Sequence, residues 1–296
     1  MLDEPQTNTA AADDLFERIN RTNHKLSKGQ QAIADFLVKH YDKAAFMTAS
    51  KLSKTVGVSE STVVRFAIAI GYEGYPDMRR TFGEMIKNRL TAMQRIDIAE
   101  DAGGTDLVMT VLKADANNIR ATMENMDIQS LEAAIDSIVS ARNIYVLGMR
   151  SSAPLAQFMG YYLNYVSPNV TTVTGGVADA VEQISRIEPC DLLIAIGFPR
   201  YSNRTLEAMA FAKKSGARIL GITDSKQSPI TKGADVSVIA RCQMVSFVDS
   251  MATPLSVINA LVVAVAHRCK AHVSETFERL ERLWQDYNVY APKDIV

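Results

Sequence analysis

The sequence predicts a chain of two parts: an all-α helix-turn-helix domain at the N-terminus, joined to an α/β domain with a five-stranded, doubly wound parallel sheet. Three observations predict this. Residues 48–71 read as two short helices folded around Gly57. After residue 143, five short apolar runs alternate with helical periods, the pattern of a parallel sheet covered on both faces. The charge also changes sign along the chain. Residues 28–95 hold eleven Lys and Arg against six Asp and Glu, net +5, whereas residues 96–296 hold eighteen against twenty-two, net −4. A basic module on an acidic body is expected where only one part meets an anionic polymer.

A length of 296 residues fits two domains at roughly 100–200 residues each. The 47% hydrophobic and 22% charged fractions are those of a globular protein with a sizeable core. Cys190, Cys242 and Cys269 are too few and too scattered for a disulfide framework or a zinc site, so neither metal nor cofactor is expected. The acidic start of the chain lacks the apolar run of a signal peptide. The most apolar segment, 255–266, is broken by Ser256 and Asn259 and is shorter than the ~18 residues of a membrane span. A cytoplasmic location with no membrane partner is expected. The boundaries read as a disordered tail over 1–14, a helix-turn-helix domain over 15–92, a linker and linking helix over 93–127, and the α/β domain over 128–296.

Within the first part, Ser27 with Gln30 forms the pattern of a capping box, and Ile33, Phe36, Leu37 and Tyr41 give one apolar face. Thr48 is placed to cap the helix 49–56. Gly57 follows where the chain must reverse, a position that favours positive φ. Ser59 caps the next helix, 59–69, with Glu60 in its first turn. Leu52, Val56, Val58, Val63 and Phe66 pack the two helices together. Ser59, Ser61, Thr62 and Arg65 then remain for base edges and phosphates in the major groove, with Glu60 and Ala69 also outward. A further helix over 77–90 carries Arg79, Arg80, Lys87 and Arg89 as expected backbone contacts.

The run Val58-Ser59-Glu60-Ser61-Thr62-Val63-Val64-Arg65-Phe66, followed by Gly71-Tyr72-Glu73-Gly74-Tyr75, resembles the signature of the RpiR family of bacterial transcriptional regulators. That resemblance implies a helix-turn-helix joined to a sugar isomerase (SIS) domain. The second part of the chain resembles one over roughly residues 128–270. Its five apolar runs are 144–148, 170–174, 192–197, 218–222 and 236–240. A sheet of this kind binds ligands beyond its C-terminal strand ends, between the first and third strands. Two loops then stand out, 148–152 and 197–202, each just before a helix N-terminus that favours an anion.

SIS domains that bind phosphosugars commonly carry a glycine-rich first loop and a Ser-x-Ser-Gly-x-Thr third loop. Ser152 and Ser202 stand at matching positions here. Arg150 replaces an expected Gly, while Gly197, Pro199 and Arg200 replace Ser, Ser and Gly. Two guanidinium groups in place of hydroxyls predict a site for a phosphate or carboxylate, bound by charge-assisted pairs. The expected effector residues are Arg150, Ser151, Ser152, Arg200, Tyr201, Ser202 and Asp224. The competing reading pairs both arginines with Asp179, Glu182 or Asp224. Residues 240–274 contain no Glu and a single acid, Asp249, so the base that an isomerase needs is missing from this stretch. His267 reads as a packed or partner-facing residue. A helix is expected from Val177 after the second apolar run, and Ser274 is placed to cap a last helix over 275–287.

The expectation is therefore a non-enzymatic regulator, a homodimer or homotetramer on double-stranded DNA with an inverted-repeat operator. Its effector is an anionic metabolite, a sugar phosphate or a sugar acid. The alternative is an aldose–ketose isomerase of sugar phosphates with an appended DNA-binding-like module.

Overall fold

The computed structural model describes residues 12–45, 47–86, 93, 105–242 and 248–291, and these form two compact units that divide near residues 103 and 104. The expected hinge at 95–104 and the side chains of Lys87 and Arg89 lie outside the described residues.

The first unit is helical: α1 (Ala12–Thr22), α2 (Lys28–Lys39), α3 (Tyr41–Ala44), α4 (Ala49–Val56), α5 (Glu60–Ala69) and α6 (Tyr75–Ile86). The start of α1 at Ala12 lies ahead of Leu15, where the apolar period begins. The capping box forms as its spacing predicts: Ser27 Oγ accepts from the Gln30 N–H, and Gln30 Oε1 accepts from the Ser27 N–H at 2.9 Å. The core gathers Leu15, Ile33, Leu37, Leu52, Val63, Phe66, Met78 and Phe82, all fully buried.

The tyrosines of the Gly71–Tyr75 stretch belong to this core. Tyr75 is buried, and its hydroxyl donates to Met47 O at 2.9 Å. Burial pushes its phenol up to about 12, against the pull of nearby Arg79. Arg18 lies over the Tyr72 ring, 4.6 Å from its centroid, and donates to Gly71 O at 2.9 Å. These contacts tie α1 to the turn between α5 and α6, so the stretch builds the scaffold behind the reading helix.

The second unit runs α7 (Thr105–Glu124), α8 (Ile128–Ser140), β1 (Ile144–Gly148), α9 (Ala153–Leu163), β2 (Val170–Val173), α10 (Ala180–Gln183), β3 (Leu192–Ile196), α11 (Asn203–Lys214), β4 (Arg218–Thr223), α12 (Pro229–Gly233), β5 (Val236–Ile239), α13 (Ala252–Arg268) and α14 (Lys270–Asp286). The five strands pair in parallel in the order β2-β1-β3-β4-β5. Alternate strand residues feed two cores. Val146, Ile194, Ile196, Leu220 and Ile222 pack with helices α8, α9 and α13. Leu147, Leu193, Ala195 and Ile219 pack with α10, α11 and α12. Burial on both faces explains why the strands read as continuous apolar runs.

Three elements differ from the sequence reading. The helix after β2 is confined to four residues behind its Asp179 cap. The short α12 was not anticipated, although Ser228 and Pro229 are a legible start signal. Ser274 does not cap the last helix. That helix already begins at Lys270, because residues 255–291 contain no Gly or Pro and α13 simply bends by 100° into α14. Among the described residues no single helix is long and apolar enough to cross a membrane.

A buried carboxylate locks the start of the sheet. Asp191, with a side chain 0% exposed, accepts from Arg142 Nε at 3.0 Å and Nη2 at 3.1 Å. It also accepts from Asn143 Nδ2 at 2.8 Å and the Glu188 N–H at 2.9 Å. These bonds join the residues just before β1 to the residue just before β3. Burial acts to raise the Asp191 pKa, but the bonds from Arg142, Glu188 and Asn143 outweigh it and hold the carboxyl below its usual range. A folded-state pKa below the unfolded one gives stability that is complete above about pH 4 and is lost as pH falls through the folded value. Asp191→Asn is therefore expected to lower the melting temperature at pH 7. The gap from wild type should narrow progressively as melts are run at pH falling below about 4; a gap independent of pH would contradict the ionised lock.

Candidate functional sites: a DNA-reading face and an anion mouth

The reading helix is built by two caps and a glycine. Thr48 Oγ1 accepts from the Lys51 N–H at 3.1 Å and starts α4. Gly57 ends it at φ 77, the left-handed conformation that costs other residues about 1 kcal/mol or more. The N–H groups of Gly57 and Val58 both donate to Ser53 O at 2.9 Å, which turns the chain sharply into α5. Ser59 Oγ then accepts from the Thr62 N–H at 3.2 Å and lies 2.8 Å from both Ser61 Oγ and Thr62 Oγ1.

Arg65 is folded back along its own helix, donating from Nε to Ser61 O at 3.2 Å and from Nη2 to Ser61 Oγ at 3.4 Å. Ser59, Ser61 and Arg65 are exposed and Thr62 is partly so, which brings the four expected readers onto one end of α5. The sequence reading missed Val64 and Ile68, which are 39% and 54% exposed. They lie three and seven positions after Ser61, on its face, so the helical period could have found them. Apolar side chains on such a face suit thymine methyl groups. On α6, Arg79 and Arg80 are both exposed, and Arg80 donates to Asp77 Oδ1 at 2.6 Å in an ion pair.

In the second unit, parallel pairing brings Gly148, Ile196 and Ile222 into register at the strand exits. The loops after β1, β3 and β4 therefore leave from one edge. A Cβ at Gly148 would come within 2.4 Å of Ser152 O and 2.7 Å of Ala156 Cβ, so only glycine lets the first loop fold over the strand end. A Cβ at Gly197 would meet Ile230 Cδ1 at 3.0 Å. Ile230, from α12, thus takes the space a serine would need, which accounts for one departure from the phosphosugar pattern.

Arg150 and Arg200 have left-handed backbone, with φ 55 and 68, a conformation that glycine adopts without penalty. Both side chains are exposed. No hydrogen bond or ion pair engages the Arg150 side chain among the described residues. The three acids weighed as partners of the arginines make the following contacts. Asp179 caps α10 and meets Arg204 at 3.3 Å, and Glu182 accepts from the Asp179 N–H at 2.9 Å. Asp224 Oδ1 accepts from the Tyr201 hydroxyl at 2.5 Å and from Thr223 Oγ1 at 3.3 Å. Burial and the adjacent Asp224 carboxylate push the Tyr201 phenol far up, so it stays a hydrogen-bond donor.

Ser152 and Ser202 sit at the N-caps of α9 and α11, yet neither side chain caps its helix. Elsewhere Ser27, Thr48, Ser59, Asp179 and Ser228 do so. At α11 the first N–H groups thus lack a side-chain cap, as suits an anion, whereas at α9 a 3-10 turn over Arg150–Ser152 precedes the helix and takes the Ser152 and Ala153 N–H groups. Ser151 is exposed beside Arg150.

The two units are a helix-turn-helix module and an α/β domain whose β1 and β3 exit loops carry Arg150 and Arg200. Comparison with known proteins agrees with both halves. Residues 14–89 match the helix-turn-helix domain of the rpiR family and residues 137–264 match the SIS domain. An uncharacterised HTH-type transcriptional regulator of Clostridium perfringens is 22% identical over 75% of this chain and 79% of its own length. The sugar isomerase domain of an RpiR transcription factor from Sphaerobacter thermophilus is 28% identical, with a TM-score of 0.57 over 60% of this chain and 98% of that one. The NanR protein of Vibrio vulnificus, solved in complex with ManNAc-6P, shares the fold over 91% of this chain and 98% of its own at 20% identity and a TM-score of 0.54. The chain belongs to the RpiR family of transcriptional regulators.

The backbone at the two arginines yields a prediction. A left-handed non-glycine residue costs about 1–2 kcal/mol, and the greater freedom of glycine in the unfolded chain offsets roughly half of that. Arg150→Gly and Arg200→Gly are each expected to leave stability unchanged or raise it by up to about 1 kcal/mol in urea denaturation. A loss of that size would show that the arginines hold the fold together instead of serving a ligand.

Proposed function

We propose that the chain is a DNA-binding transcriptional regulator whose operator affinity is set by an anionic metabolite, a sugar phosphate or sugar acid, held between the β1 and β3 exit loops. The observation that carries the reading is the pair Arg150 and Arg200. Two arginines are kept in strained backbone, exposed, at the starts of two helices whose cap serines make no side-chain cap. Strain of this kind persists where function requires it. Bidentate guanidinium contacts fit carboxylate and phosphate alike. Ser151, Ser152 and Ser202 supply hydroxyls, and Tyr201 with Asp224 addresses the neutral part of the ligand.

Binding without turnover is the better reading. The exit loops 149–152, 197–202 and 224–228 offer one acid, Asp224, already bonded to Tyr201, and no histidine. His272 lines an apolar cavity of about 260 Å³ with Ile138, Leu163, Val166, Val265 and Cys269. That cavity lies by the strand starts, at the end of the sheet opposite the mouth.

Residues 15–92 then act as the reader, 93–127 as linker and linking helix, and 128–296 as the sensing and oligomerising part, in the cytoplasm. Ser59, Ser61, Thr62 and Arg65 enter the groove while Arg79 and Arg80 meet phosphates. A single reading helix covers one half-site, so a dimer or tetramer on an inverted repeat is the matching assembly. Helix α14 supports self-association, because its seventeen residues include none that is buried. Its aromatic ladder Tyr165–Phe277–Trp284–Tyr290, with centroids 5.2, 6.2 and 5.3 Å apart, adjoins Tyr161, which is 55% exposed.

Two measurements test the reading. In gel shifts with the region upstream of its own gene, Arg65→Ala should abolish the specific complex and leave ligand binding intact; loss of both would mark Arg65 as structural. Calorimetry with glucose 6-phosphate, gluconate and 6-phosphogluconate separates phosphate from carboxylate recognition. Arg150→Ala/Arg200→Ala should weaken the tightest of these by about tenfold or more, and an unchanged affinity would sink the proposed mouth.

A further inference from the structure

The linking helix α7 is attached to the rest of its unit in an unusual way. Its buried face is polar at two positions, Asn118 and Thr122, each 4% exposed, while Val108, Met109 and Leu112 are half exposed or more. Thr122 Oγ1 accepts from the Arg241 N–H at 2.9 Å, just beyond the exit of β5. Two turns earlier on the same face, Asp115 accepts from Ser250 Oγ at 2.6 Å. Ser250 is itself tied to the β5 exit, since Cys242 Sγ donates to Ser250 O at 3.3 Å. The pins on α7 therefore hold it to the chain that leaves β5, one through Arg241 and one through Ser250.

That chain is bonded in turn to the anion mouth. The Ala240 N–H donates to Thr223 O at 2.7 Å. Thr223 immediately precedes Asp224, the acceptor of the Tyr201 hydroxyl at 2.5 Å. Steps along the chain and hydrogen bonds thus alternate without a break from Tyr201 through Asp224, Thr223, Ala240 and Arg241 to Thr122. In sequence, α7 is the helix that leads into this unit from the reader.

We propose that this route couples the two activities: occupation of the mouth re-seats Asp224 and the β5 exit, and the pins at Thr122 and Asp115 pass the change to α7. The proposal rests on the effector reading above and adds the element that carries the signal. Spatial continuity alone does not establish coupling; a shift in one equilibrium caused by the other does.

The test is a linkage cycle on the full-length chain. The probe is whichever of glucose 6-phosphate, gluconate and 6-phosphogluconate binds wild type most tightly. Operator affinity is measured with and without saturating probe, and probe affinity is measured without DNA. Thr122→Val keeps the shape and removes the acceptor. It should shrink the probe-dependent factor in operator affinity toward 1, leaving operator affinity without probe, and probe affinity without DNA, within about twofold of wild type. Thr122→Ser, which restores the hydroxyl, should restore the factor. Asp115→Asn and Ser250→Ala weaken the second pin and serve where Thr122→Val does not fold.

A wild-type factor in pin variants that bind probe and operator normally would overturn the route while leaving the effector reading intact. A wild type that binds operator but shows no probe-dependent factor would overturn the effector reading itself, and the route with it.

Discussion

Parallel pairing in the order β2-β1-β3-β4-β5 is the constraint on which the α/β half depends. It sends every strand C-terminus to one edge. It also makes the chain leave β1 toward one side and β3 toward the other, opening a crevice between their exits. Asp191 fixes this pairing from the opposite edge by joining the starts of β1 and β3. Once the register is set, the starts of α9 and α11 have to flank the crevice. The two residues with inverted backbone, Arg150 and Arg200, then fall at its rim. The site follows from topology before any side chain is chosen.

Side-chain choice gives the site its character. Glycine would be the relaxed residue at positions 150 and 200, and the protein carries arginine there with the glycine conformation retained. That costs stability and brings two delocalised charges to helix ends already favourable to anions. Asp224 is tied to Tyr201 and Thr223 instead of to Arg150. In the reader, the division of labour is similar. Tyr72, Tyr75 and Arg18 brace the helix from behind, so that Ser61, Val64, Arg65 and Ile68 face outward from a rigid support.

Much of this was legible in the sequence, for definite reasons. Thr48, Gly57 and Ser59 act over a few residues, so caps and turn could be read without tertiary information. The five strands could be read because burial on both faces leaves them continuously apolar. What escaped depends on contacts distant in sequence. Nothing local marks Thr122 as the acceptor of Arg241, a residue 119 positions away. The replacement of serine by Gly197 becomes intelligible only beside Ile230. Val64 was hidden by its neighbour, since in Val63-Val64 only one valine faces the core. The cap assigned to Ser274 failed because the break between α13 and α14 is a bend with no breaker residue to announce it.

Reader and sensor are one device only if each site feels the other. Linkage requires that a ligand which changes operator affinity by some factor have its own affinity changed by operator in the same proportion. The most direct measurement is the dissociation constant of the best-binding sugar anion for the chain alone and for the chain saturated with operator. The two constants should differ, by the same factor that the ligand imposes on operator binding. Identical constants, with both partners bound, would contradict it.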